Sequence, residues 1–273
     1  MERVQEIIKR MSKSLRQIAH FGWRLLPATL RISLKSSLKR GLTPSKRRFG
    51  RFEFIWSAVR SLFQEIQNAR IVRNSQKALR ELRGKKNIKV HLGCGYDVRP
   101  GWVNMDLSAK PIRETPGATF IGYDLRLGLP LPKDSCSLIY SSHFMEHLEY
   151  RHGFQMIRDC HRALQSGGVF RACLPNFRGL FEAYVRGDEE YMSLIDIRNV
   201  LPEIEVGTEM FVDHINYGAY QGGEHKWIFD EEKMLLLLRR AGFQEAVLVD
   251  YDENIDVADP VRRRYSFYVE ARK

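Results

Sequence analysis

From residue 86 onward this chain predicts an α/β architecture: a mostly parallel sheet with helices on both faces. Three observations predict it. Short apolar runs of strand length alternate with stretches of helical periodicity. The run Lys89–Leu92 ends in Gly93-Cys94-Gly95, and a second short run ends in Asp106. The last two runs are joined by a loop, which suggests an edge hairpin with an antiparallel final strand. Strands that alternate with helices must be covered from both sides, giving a doubly wound, seven-stranded sheet.

The elements follow in order. Strands are expected near 88–92, 102–106, 118–123, 136–141, 168–174, 246–251 and 265–271, with helices near 150–165 and 230–241. Val90–Leu92 reads as a buried parallel strand. Gly93 and Gly95 let the backbone turn sharply and let a ligand approach where a Cβ would block it. Asp106, at the end of the second strand, can accept hydrogen bonds from two ribose hydroxyls. A nicotinamide dinucleotide fits this turn poorly. Val98 stands where a third glycine is needed, and Asp106 follows Gly93 by 13 residues rather than about 20. A nucleoside without a pyrophosphate suits it better.

Four segments carry a resemblance: HLGCGYDVRPGWVNMD, YDLRLGLPLPKDSCSLIYSSHFMEHLEY, HRALQSGGVFRACLPNF and FDEEKMLLLLRRAGF. In this order they resemble class I S-adenosylmethionine-dependent methyltransferases, most of all a methyltransferase type 11-like bacterial group found among polysaccharide-biosynthesis genes. The resemblance spans roughly residues 86 to 273. It implies a Rossmann-like sheet and S-adenosylmethionine as cofactor. Gly93, Cys94 and Gly95 would contact the methionine part and Asp106 the ribose. Asp124 would accept from the adenine amino group while Leu125 packs the ring. Ser141 stands at the end of the fourth strand. His91 occupies the place where the family has an acid, and so departs from the pattern.

Asp124 has a second reading, as a helix cap. His143, Glu146 and His147 have spacings of three and four, which place them on one helical face. A metal ion could bind such a cluster. With no clear fourth ligand, a polar helix start is preferred and no metal is expected. His143 remains a candidate for contact with substrate or cofactor. An insertion at about 177–228 separates the fifth strand from the next family helix, and it carries His214 and His225 between glycines and aromatics. Either imidazole could take a proton from an acceptor hydroxyl, or could simply bond a backbone carbonyl. The catalytic candidates are thus His143, His214 and His225.

Charge divides the chain. Residues 1–86 hold 22 Lys/Arg and 5 Asp/Glu, against 22 and 28 in the remainder. The first part, residues 1–85, reads as a basic helical N-terminal extension. Val4, Ile8, Met11, Leu15 and Ile18 repeat at helical spacing, as do Ile55, Val59, Leu62, Ile66 and Ala69, with Pro27 and Gly41 as breaks. The extension could pack its apolar stripe on the catalytic domain, lie on an anionic membrane through residues 1–70, or bind nucleic acid, the membrane being preferred to nucleic acid.

The four cysteines form no Cys-x-x-Cys pair, in keeping with a reducing compartment and no structural zinc. Neither a signal peptide nor a membrane span is expected. The expected setting is cytoplasmic, with peripheral contact at the inner membrane surface. The expected activity is methyl transfer to an oxygen on a glycan, glycolipid or other small molecule. The alternatives are an RNA methyltransferase docked through the basic region and a non-catalytic interaction module.

Overall fold

The structure, a computed structural model, describes residues 53–201 and 209–273. The expected basic helix over residues 4–18 and the breaks at Pro27 and Gly41 lie outside the described residues. The chain divides into two compact units, residues 1–63 and 64–273. Among the described residues of the first, Val59, Leu62 and Phe63 are exposed.

Helix α1 (Glu53–Glu81) has residues in both units. Within the second unit, Val72, Ala78 and Leu79 of this helix pack against the core, and Leu82 just after it is buried there. Glu65 and Arg126 form a bidentate pair at 3.0 and 2.9 Å that ties α1 to the loop after the third strand.

The sheet contains β1 (Ile88–Leu92), β2 (Val103–Asp106), β3 (Thr119–Gly122), β4 (Cys136–Ser142), β5 (Leu164–Pro175), β6 (Glu245–Val249) and β7 (Ser266–Arg272). Their order is β3-β2-β1-β4-β5-β7-β6. β1 to β5 pair in parallel, and β7 runs antiparallel to both neighbours. This is the doubly wound, Rossmann-like sheet with one antiparallel strand. The chain order reverses between β1 and β4, so the crevice beyond their carboxyl ends is where such a sheet takes a ligand.

Central strands buried on both faces read as continuous apolar runs. Accordingly Val90, Leu92, Ile139, Phe170 and Leu174 are fully buried. Each such side chain stabilises the fold by about 1.5–3 kcal/mol relative to exposure.

The helices are legible residue by residue. α2 (Tyr150–Ala163) buries Gly153, Met156, Ile157, Cys160 and Ala163, one face at spacings of three and four. β5 begins directly after it at Leu164, four residues before the expected start.

Among the described residues of the insertion after β5 are four α-helices: α3 (Phe177–Arg186), α4 (Glu189–Met192), α5 (Ile197–Val200) and α6 (Phe211–Tyr220). They make a small core of their own from Phe177, Leu180, Ala183 and Met192, closed by Tyr265. α7 (Glu231–Ala241) starts on Asp230, whose carboxylate accepts from Lys233 N–H, and ends at Gly242 with φ 106°. Glu231 and Glu232 in its first turn and Arg239 and Arg240 in its last complement the helix dipole. The connection between β6 and β7 carries a short helix, α8 (Pro260–Tyr265), where the sequence suggested only a loop.

Candidate active site

The turn after β1 is built by two glycines in the left-handed region, Gly93 at φ 62° and Gly95 at φ 49°. They differ in what surrounds them. A Cβ on Gly93 would sit 2.5 Å from the Phe144 ring, whereas one on Gly95 would meet nothing within 4 Å. The open space over Gly95 leaves room for a ligand to reach the backbone. Cys94 between them donates its N–H to the Met105 carbonyl at 3.2 Å. Its thiol is pushed up to about 12 by burial, so it stays protonated and serves as a small apolar filler.

Asp106 ends β2 beside this turn. Its Oδ2 accepts from Gly95 N–H at 2.7 Å and its Oδ1 from Leu107 N–H at 2.6 Å. Each carboxylate oxygen keeps a further lone pair. A half-buried carboxylate with spare acceptor capacity, next to the open space over Gly95, can receive a ligand's hydroxyls.

His91 stands inside rather than at the rim. It is buried, its Nδ1 lies 2.9 Å from the Asp97 carbonyl, and its ring tilts against Tyr140 at 5.0 Å. Burial, and after it the Arg99 guanidinium, lower its pKa to about 4, so the ring is neutral. Its Nε2 has no hydrogen-bond partner. Arg99, two residues from Asp97, ties this corner together. It bonds the Asp97 carboxylate at 2.5 Å and the Ile255 carbonyl at 2.6 Å, and lies over the Tyr140 ring at 4.4 Å.

Asp124 is buried and caps the turn Leu125–Leu127, accepting from Arg126 N–H at 3.0 Å. Both its oxygens also bond the Arg126 guanidinium. Leu125 sits in the main core cluster with Leu129 and Leu131.

At the end of β4, Ser141 is buried with its hydroxyl unpartnered, and Ser142 accepts from Arg262 Nη1 at 3.2 Å. The helical face expected for His143, Glu146 and His147 does not form. His143 has left-handed backbone at φ 48°, and Met145–His147 is a single 3₁₀ turn. Leu148 is extended, so α2 starts only at Tyr150. The three side chains nevertheless stay close. His143 Nδ1 lies 3.7 Å from Glu146 Oε1, and His143 Nε2 is hydrogen-bonded to Ser266 Oγ at 2.7 Å. Burial first, then the charge of Arg262, lower His143 to about 3, so this imidazole is neutral. Burial of Glu146 raises its carboxyl to about 8.

His214 and His225 separate. His225 leaves the insertion beside β4: its ring meets His147 edge-on at 4.9 Å, and its Nδ1 is held 2.6 Å from the Gly218 carbonyl. His214 is buried in α6 with Nδ1 unpartnered, outside the group formed by Glu146, His147 and His225. Burial lowers both imidazoles.

Sequence reasoning missed Phe144, Arg262 and Ser266. Phe144 lies directly after the Ser141-Ser142-His143 run, a signal that it would reach the same rim. Arg262 and Ser266 come from α8 and β7, more than a hundred residues away, and no local pattern marks them.

No protein-family model matches the chain, and no curated protein is similar to it. Among solved structures it is similar to a SAM-dependent methyltransferase from Archaeoglobus fulgidus, at 15% identity over 77% of this chain and 94% of that one, with a TM-score of 0.42. It is similar to an S-adenosylmethionine-dependent methyltransferase from Mesorhizobium loti, at 20% identity over 72% and 96%, TM-score 0.40. A putative S-adenosylmethionine-dependent methyltransferase from Listeria monocytogenes follows at 16% identity over 73% and 97%, TM-score 0.43.

Proposed function

We propose that the chain is an S-adenosylmethionine-dependent methyltransferase acting on an oxygen of a glycan, glycolipid or other small molecule. One observation carries this reading: Gly95 and Asp106 meet beyond the carboxyl ends of β1 and β2, beside the sheet's switch point, with open space over Gly95 and spare acceptor capacity on the carboxylate. The residues present fit the cofactor. Gly93-Cys94-Gly95 would hold its methionine part and Asp106 its ribose hydroxyls. The buried, unpartnered hydroxyl of Ser141 offers one further polar contact. When bound, the cofactor supplies a methyl group already activated on a sulfonium.

The protein's own work is then mostly positioning. Holding an acceptor in line can account for about 7–11 kcal/mol of barrier. His143, neutral and bonded to Ser266 through Nε2, would orient the acceptor by a hydrogen bond at its other ring nitrogen. Trp227 is exposed and packs against Tyr150 at 4.9 Å with the rings tilted by 44°, a surface on which a sugar face could lie. The basic residues 1–70 would bring the enzyme to an anionic membrane surface, where each basic group contributes about 1 kcal/mol.

The experiment supplies methyl-labelled S-adenosylmethionine to the full chain with fractionated cell extract. Label in a carbohydrate-containing or lipid-linked fraction supports the reading. Label confined to RNA would replace the acceptor class, and no enzyme-dependent label in any fraction would contradict methyl transfer.

A further inference from the structure

We propose that Glu146, His147 and His225 form a binding site for a divalent transition-metal ion, with Zn2+ the best match. One ligand atom from each lies within 4.8 Å of the others. Bonds of about 2.0–2.2 Å in a tetrahedral site place donor atoms about 3.4 Å apart, so an inward turn of the rings by about an ångström would seat an ion.

A second observation points the same way. Glu146 is fully buried, and neither of its carboxylate oxygens has a hydrogen-bond partner. The nearest side-chain cation candidate, His143 Nδ1, stays 3.7 Å from Oε1, beyond hydrogen-bond reach. A buried carboxylate is normally paired or bound to a metal, and no side-chain donor stands within hydrogen-bond reach of this one.

The arrangement around the three is that of a prepared site. The His225 Nδ1 is held by the Gly218 carbonyl at 2.6 Å, which fixes the tautomer and leaves Nε2 its lone pair. Metal-bound histidines are oriented by second partners of this kind. The N–H groups of Lys226 and Trp227 both donate to the Glu146 carbonyl, at 2.8 and 3.2 Å. These bonds pin the end of the insertion to the turn after β4, so His225 is held beside Glu146 by backbone rather than by its own side chain.

Two imidazoles and a carboxylate suit Zn2+ and its first-row neighbours. Three protein ligands also leave a coordination position for an incoming oxygen, whose proton then becomes easier to remove. Only this last consequence rests on the methyl-transfer reading. The metal site does not.

The test uses the full chain without a histidine tag, stripped with a chelator and titrated with Zn2+ against a chromophoric competitor, with Co2+ absorption as a second readout. Uptake of about one equivalent is expected, as for a single three-ligand site. Glu146→Gln and His225→Gln should each weaken it by at least about tenfold, with His214→Gln unchanged. Absence of stoichiometric uptake by the wild-type chain would overturn the proposal, and that result needs no variant to fold. Equal uptake by wild type and folded Glu146→Gln and His225→Gln would overturn it as well, by placing the ion elsewhere.

Discussion

The backbone N–H of Gly95 donates to Asp106 Oδ2 at 2.7 Å and, together with the Cys94 N–H bond to the Met105 carbonyl, joins the turn after β1 to the end of β2. It closes the two parallel strands at the rim where a nucleoside would lie. It also holds the carboxylate in place before any ligand arrives, which lowers the entropy lost on binding.

The two glycines of the turn should respond differently to substitution. Gly95→Ala meets no neighbour and suffers only left-handed strain, about 1–2 kcal/mol. Gly93→Ala adds a collision with Phe144, so its loss should exceed about 3 kcal/mol. Urea unfolding measures both. Cofactor affinity measured by calorimetry should fall in Gly95→Ala, although its fold survives.

His91 makes stability depend on acid. Its folded pKa, about 4, lies below the unfolded value of 6.5. The unfolded chain therefore binds more protons between these limits. The contribution is present in full above pH 6.5 and is lost as pH falls toward 4. His91→Phe should flatten this limb by up to roughly 3 kcal/mol. Unfolding free energies of both proteins across that range test it, and parallel curves would contradict it.

Arg171 and Asp256 form a buried ion pair that ties the loop before α8 to β5, with Glu270 as a second partner at 3.0 Å. Asp256→Asn leaves Arg171 with Glu270 as its remaining carboxylate partner. It should destabilise the chain by less than about 3–5 kcal/mol, the cost of a buried charge left unpaired. A smaller loss is expected when Arg171 and Asp256 are both replaced by apolar residues of similar volume, read by thermal melting.

His143→Ala should lower turnover by up to about tenfold if its imidazole orients the acceptor by a hydrogen bond. Cofactor affinity should not move. Ser266→Ala, which frees the ring without removing it, should show a smaller fall in kcat. Steady-state kinetics alongside calorimetry separate the two effects.

Much of the sheet was legible in the sequence because its cause is local. Continuous apolar runs mark strands buried on both faces, and Asp230 and Gly242 announce the two ends of α7. The Gly93-Cys94-Gly95 turn and Asp106 stand side by side as their spacing suggested. Other features depend on contacts that local spacing does not record. The distance between His143 and His147 fits a helix, but Leu148 is extended and the helix starts later. The run after Asp124 favours a ligand role for it somewhat over a cap. The capping bond and the Arg126 pair are what its surroundings provide. His225 reaches Glu146 across a whole inserted subdomain, fixed by backbone bonds from Lys226 and Trp227, so the buried cluster could not be read from either segment alone.

The most direct test of the central claim is calorimetric titration of the wild-type chain and Asp106→Ala with S-adenosylmethionine and its demethylated product. Saturable binding of both ligands to the wild type is predicted, with binding lost in a folded Asp106→Ala. Absence of binding to the wild type at near-millimolar ligand, or unchanged affinity in Asp106→Ala, would contradict it.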